Sequence, residues 1–519
     1  MRFQKPLYFN FLTDKLFTLF FNIFNRMFVI IPLALASLLS LSFWFTIPHK
    51  VNGLIIVTGI SFSILILMFI ARKISDIVAN HNKSKVLTFF FIFTVAFAVR
   101  LLLIVVFKED IKPFSDFYKI WCLSQGTGEE YFNYYTLFYT YLNFSVFLKK
   151  LTSVFGSSYI VLIYFNAVIS SLTAALSYVI ADIIYKDTQT SILAGFLMAL
   201  LPSNIIYNTV GTPEFIVIIM NMLAILAMVK FIDTGKFIFA FAILAGICLG
   251  IGNSFKTFGI IIIIAFTMTI FAQWIFNKSN AKIRRRQLFS ILLTVSIVFL
   301  CNNYICNFIT AETENNYNCS LDTSASLPHF LLIGLNTQGE GQISIGNLSR
   351  EYYKRYLSNG MDVEEAKQYA YSILKADWQQ NPDKISQLFT KKFIHAWKDD
   401  TRPHIYLVNN IGISSDTLTE SALAYIIHNG LASAMQFVYF ITMTLSAAGA
   451  AVYAYKSSKR RCINFKVELI SLIIFGYFCL IMLSEAQSRY KCLVMPLICI
   501  WAAYGAKNIY KYIKEKINK

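Results

Sequence analysis

Asp116 stands in "PFSDFYKIW", a polar stretch just beyond the apolar run 86–107. A lone carboxylate among Phe114, Phe117, Tyr118 and Trp121 is a candidate general base, because flanking rings would shield it and raise its proton affinity. A plainer reading is that Ser115 or Asp116 caps a helix beginning there. Glu109 and Asp110 lie beside Lys108 and Lys112 and read as a solvated rim that offers further acids. The second candidate is Glu214 in "NTVGTPEFIVIIM", where Thr212 can cap a helix, Pro213 can open it and Glu214 meets its positive end. Cations form the other half of the set: Arg489 and Lys491 in "EAQSRYKCLVMP", Lys256 in "GIGNSFKTFG" and Arg100 in "AFAVRLLLIVVF". Carboxylates and cations brought to one rim beside the bilayer suit a substrate with a polar head and a lipid tail, and the cations invite an anion such as a lipid phosphate. Arg100 lies about two turns inside its apolar run and must snorkel or pair. The six histidines show no metal-binding spacing, and His404 in "TRPHIY" reads as a loop residue. The nine cysteines show no CxxC pair; Cys301 and Cys306 could approach each other, but buried thiols are the simpler reading.

The elements that position these groups are membrane helices. The chain has 519 residues, 56% of them hydrophobic and only 14% charged, a balance that excludes a water-soluble globule. About twelve apolar runs are long enough to cross a bilayer as helices: 27–47, 51–71, 86–107, 158–185, 190–208, 214–231, 237–254, 257–277, 288–309, 423–455, 466–485 and 488–508. The fold class expected is therefore all-α, a polytopic helical membrane protein. No cleavable signal is evident at the start, where the first apolar run has full length. The basic connectors, among them "KSNAKIRRR" and "KSSKRRCINFK", fall on one side together with both termini, which the positive-inside rule makes cytoplasmic. Most carboxylates fall on the other side, so the net charge of +18 reflects anchoring, and nucleic-acid binding is not expected.

Four segments follow. Residues 1–85 form an N-terminal tail and an added hairpin. Residues 86–309 form a membrane core with a first outer loop at 108–157. Residues 310–421 form an extracytoplasmic helical insertion, and 422–519 carry the last spans and a basic tail. In the first loop, Tyr134 to Leu151 has the length of a span, yet a span there would invert every later connector; it reads as an interfacial amphipathic helix. In the insertion, Asp362 and Glu365 have capping-box spacing, Asn381 and Pro382 open a second helix, and "HFLLIGLNTQGEGQISIGN" reads as loop.

The acidic loop "RLLLIVVFKEDIKPFSDFYKIWCLSQG" resembles the start of the membrane glycosyltransferases of the C superfamily, specifically family 39 and the RgtA/B/C/D-like group, which include protein O-mannosyltransferases and aminoarabinose transferases. The likeness runs on through "GFLMALLPSNIIYNTVGTPEFIVIIMNMLAILA" and "LAGICLGIGNSFKTFGIIIII" to "EAQSRYKCLVMPLICIWAAYG". It implies a sugar donor on a polyprenyl phosphate, delivered from within the cell membrane to a surface polymer, lipid or protein acceptor at an extracytoplasmic site. Asp116 matches the family's first-loop base for inverting attack, and Glu214 its second-loop acid; Arg489 and Lys256, with Lys491 and Arg100, would serve the donor phosphate. Phe117 stands where the mannosyl and aminoarabinose branches have a second acid. No cofactor is expected; a divalent metal could replace the cations, but no ligand cluster indicates one. A flippase or transporter of lipid-linked saccharide, or a polysaccharide polymerase or ligase, are the competing functions; a structural or receptor-like protein would tolerate amides in place of the rim acids.

Overall fold

The computed structural model describes residues 19–21, 23–47, 73, 84–108, 111–234, 238–276, 281–324, 326–342, 348, 352, 363–410, 430–460 and 463–518. The expected span 51–71, Glu109, Asp110 and the capping residue Asp362 lie outside them. Among the described residues every long element is a helix, and eight helices are long and apolar enough to cross a membrane. The chain is a polytopic helical membrane protein.

After α1 (Ile31–Trp44) and α2 (Ser84–Phe107), the first loop folds as α3 (Ser115–Gln125), α4 (Glu129–Thr136) and α5 (Tyr139–Phe155). As expected of an amphipathic segment, α5 buries Leu142, Phe144, Leu148 and Leu151, while Lys149 and Lys150 on its exposed face reach Asn316 and Glu312. Next comes α6 (Ile160–Tyr185), where the expected single span 190–208 is replaced by two short helices, α7 (Thr188–Ala199) and α8 (Pro202–Tyr207). Pro202 causes the break, since its ring removes one backbone donor and clashes with the preceding turn. The break leaves α7's last carbonyls without intrahelical donors. Arg100 supplies one: its guanidinium donates to Ala199 O at 3.0 Å, to Ala96 O at 2.9 Å and to Ser170 Oγ at 2.7 Å.

The core continues through α9 (Glu214–Thr234), α10 (Ile238–Phe255), α11 (Gly259–Phe276) and α12 (Ala281–Tyr317). At 1.5 Å per residue the 37 residues of α12 reach about 55 Å, well beyond a bilayer's apolar thickness, so its end stands clear beside the first loop. Cys301 and Cys306 on this helix are free thiols. The insertion contributes α13 (Ser326–Leu335), α14 (Val363–Gln380), α15 (Pro382–Trp397) and α16 (Arg402–Asn410). Thus "HFLLIGL" is helix, and His404 is a buried residue of α16, where loop was expected. Asn381 and Pro382 open α15 as expected, though the Asn381 side chain turns back to Asp377. The chain closes with α17 (Leu431–Arg460), α18 (Phe465–Leu483), a 3-10 turn at Ser488–Leu493 and α19 (Met495–Ile517). Helix α19 packs along α17 and α7, and α15 lies against α18 and the 3-10 turn. The insertion is thereby seated on the loop that carries Arg489.

Candidate active site

Three loops converge at the insertion side of the bundle. The first brings Asp116 in the opening turn of α3. Ser115 before it has φ of 51°, a left-handed conformation that costs a residue with a Cβ about 1–2 kcal/mol and turns the chain sharply into the helix. Neither Ser115 nor Asp116 caps α3; Phe114 holds the N-cap position without a side-chain bond. The expected shielding of Asp116 is not realised either: its side chain is 46% exposed, with Lys119 Nζ at 3.9 Å. The flanking rings have other partners. Phe114 packs on Tyr406 of α16, Trp121 on Tyr159, and Phe117 lies under the Arg489 guanidinium at 5.6 Å.

The second loop places Glu214 in the first turn of α9, only 1% exposed. The Thr212 hydroxyl does not cap this helix, having no hydrogen-bond partner. Glu214 Oε1 instead accepts from Lys256 Nζ at 2.7 Å, and Oε2 accepts nothing from the described residues. Lys256, 16% exposed, also sits 3.8 Å from the centre of the Tyr490 ring. The third loop supplies Arg489, whose guanidinium lies 5.2 Å from that ring. Tyr490 thus contacts both cations through its ring, while its hydroxyl donates to Glu485 Oε2 at 2.8 Å. The Tyr141 hydroxyl on α5 is pushed up by burial. Arg489 opposes that shift, while Glu214, Asp116 and Glu485 add to it, so all four charges act on one phenol.

Asp116 and Arg489 line a common cavity of about 500 Å³, together with Asp399, Arg402, Glu485 and Ser488. Behind it, a smaller cleft is lined by Tyr207, Asp400 and Lys491 and shares Asp399, Arg402, Ser488 and Arg489 with the larger one. Glu214 and Lys256 line neither cavity; they form a layer behind Tyr490. Arg489 is half-buried, has no carboxylate within 4 Å among the described residues, and its buried Nε lacks a hydrogen-bond partner, so it is the cation best placed to meet an anion. Lys491 is differently placed. Its ammonium is 3.2 Å from Asp400 Oδ1, donates to Asp399 O and lies 4.4 Å from the Tyr439 ring centre. Burial lifts the Asp400 carboxyl above the ordinary range, against the pull of Lys491. Arg100 lines neither cavity; its Nε and one terminal nitrogen donate to Ser170, Ala96 and Ala199, while the other terminal nitrogen is buried without a partner among the described residues.

The insertion completes the wall. Lys392 of α15 is fully buried and donates to Gly334 O at 2.5 Å, Met482 O at 2.5 Å and Ser484 O at 2.8 Å. Burial pushes it down to about 7, with Glu485 opposing. Beside it Ala486 N donates to Gly341 O at 2.8 Å, so the backbone on either side of Glu485 is pinned to the insertion. The sequence reading missed Asp399, Asp400 and Arg402 as wall residues. The signal available was "KDDTRP", four charges and a helix start directly after an amphipathic helix.

The arrangement offers a half-exposed carboxylate and an unneutralised guanidinium on one cavity at the edge of an apolar bundle. No group of three or more His, Cys, Asp or Glu among the described residues could hold a metal ion. No curated protein matches the chain. Residues 143–305, from α5 into α12, match the model of the dolichyl-phosphate-mannose-protein mannosyltransferase family; that stretch includes Glu214 and Lys256 and lies between Asp116 and Arg489. The match covers about a third of the chain, so this stretch of the helical membrane bundle is similar to that membrane glycosyltransferase family.

Proposed function

We propose that the protein moves a sugar from a polyprenyl-phosphate donor to a hydroxyl acceptor on a surface polymer, lipid or protein. Asp116 accepts the acceptor's proton as its oxygen attacks the anomeric carbon from the face opposite the phosphate. The bond from that carbon to the phosphate oxygen breaks, its electron pair stays on the phosphate, and configuration inverts. Such a leaving group is already good, so fixed positive charge matters more than a general acid. Arg489, with Arg402 across the cavity, meets that phosphate. Glu214 holds Lys256 and, through the Tyr490 layer, the geometry of Arg489. The site faces away from the cytoplasm, the side opposite the basic connectors, in the cell membrane. The observation that carries this reading is the shared cavity of Asp116 and Arg489.

The test is release of polyprenyl phosphate by protein reconstituted in nanodiscs with a panel of polyprenyl-phosphate sugars and cell-surface acceptors. Asp116→Asn should stop release while leaving expression and melting unchanged. Turnover by that variant at the parent rate would remove Asp116 from the mechanism. Release only from lipid diphosphates would favour a polymerase or ligase, and saccharide crossing without release would favour a flippase.

A further inference from the structure

At the far end of α3 lies a second cavity of about 580 Å³, lined by residues of the first loop and of α12, among them Gln125, Glu129, Phe132, Lys149, Asn316 and Tyr317. Its shape is set by the turn "GTG". Gly126 ends α3 with φ of 74°, and a Cβ on Gly128 would lie 2.7 Å from Leu123 N, so the chain folds flat against its own helix and leaves the space open. Two aromatic rings form one wall, Phe132 and Tyr317, with centroids 5.1 Å apart and planes at 41°. The Tyr317 hydroxyl is fixed by Ser145 at 2.7 Å. Around the rings stand groups that donate and accept. Asn316 accepts from Lys149 at 2.9 Å through its carbonyl, which leaves its NH2 as a donor; Gln125 donates to Ser124 at 3.1 Å, which leaves its carbonyl as an acceptor. Both signs of charge are present in Glu129 and Lys149, so the cavity favours neither anion nor cation.

We propose that this cavity is a saccharide subsite that holds the acceptor glycan away from its reacting end. Apolar ring faces beside neutral amides are the complement of a sugar, which presents C–H faces and a girdle of hydroxyls. A peptide acceptor would ask for unpaired backbone along an edge, and an anionic lipid for concentrated positive charge; the wall offers neither. Gln125 and Asp116 are nine residues apart on one helix, roughly 14 Å at 1.5 Å per residue, so α3 measures the separation between subsite and base. The inference rests on the glycosyl-transfer reading for its direction, and names a glycan as the acceptor.

The probes are labelled oligosaccharides from partial hydrolysis of the producing cell's surface polymers, titrated against the full chain in nanodiscs. Wild-type protein should bind at least one fraction, Phe132→Ala and Asn316→Ala should bind it at least tenfold more weakly, and Asp116→Asn should bind it as wild type does. In turnover, both subsite variants should raise KM for long acceptors and leave kcat and the rate with a monosaccharide acceptor unchanged. Asn316 is exposed, and Phe132→Leu serves as the second variant at the ring position, keeping bulk while losing the flat face. Binding of no fraction, equal binding by the variants, or binding of peptides in place of glycans would overturn the subsite. Binding without any release of polyprenyl phosphate would leave the subsite standing and remove the transfer reading instead.

Discussion

Removing the Lys256 ammonium tests whether it holds Glu214 or holds a ligand. The pair is 2.7 Å apart and the carboxylate is 1% exposed. At an effective dielectric of about 20 the attraction is roughly 6 kcal/mol, against a desolvation cost of several kcal/mol for each ion. Lys256→Met strands a buried carboxylate and should cost about 3–5 kcal/mol of stability. Glu214→Gln strands a cation that is 16% exposed and rests on the Tyr490 ring, so water and the ring recover part of the loss, the ring about 0.5–2 kcal/mol. The order of destabilisation is thus Lys256→Met first and Glu214→Gln second. The double variant strands neither charge and should lie nearer the parent than the sum, with a coupling of about 2 kcal/mol or more. Fluorescence-detected unfolding in nanodiscs at pH 7, run on all four proteins, gives the cycle. Strict additivity would refute the buried pair. An unchanged Lys256→Met melt with a raised donor KM would make Lys256 a phosphate ligand.

Arg489→Ala removes one charge-assisted contact, about 1.5–3 kcal/mol, and should lower kcat/KM roughly 10- to 150-fold in the polyprenyl-phosphate release assay. Lys491→Met removes the partner that pulls the Asp400 carboxyl down, so its proton affinity rises further above the unfolded value. A raised carboxyl favours the folded state below the ordinary carboxylate value and loses that advantage as pH climbs; melting of this variant at pH 8 should fall below its value at pH 5 by more than in the parent. Lys392→Met orphans the buried Gly334 carbonyl at about 1–3 kcal/mol, removes the donor to the half-buried Met482 and Ser484 carbonyls, and frees the Glu485 turn. Lower melting together with a lower kcat is expected, and a lower melt alone would limit Lys392 to a structural role.

The helices themselves were legible because apolar runs of bilayer length admit little else, and Asp116 and Arg489, far apart in sequence, do line one cavity. Where the reading failed, the cause was mostly pairing across long separations. Lys491 meets Asp400 over some ninety residues of intervening chain, and no local pattern shows it. The rings around Asp116 suggested shelter, but Phe114, Phe117 and Trp121 each found a partner elsewhere and left the carboxylate open. Pro202 was visible within the run 190–208, and its presence alone argued against one continuous span.

The interrupted membrane helix and the arginine beside it form a single device. An Arg inside a bilayer is ordinarily a liability, yet here it mends an end that proline leaves ragged, and the chain released by that end goes on to furnish Ser203, Asn204 and Tyr207 to the inner cleft. Repairing the helix with Pro202→Ala would give the Ala199 carbonyl a backbone donor in place of the guanidinium and straighten away part of the cleft's floor. Straightness and a working hollow are therefore alternatives at this point.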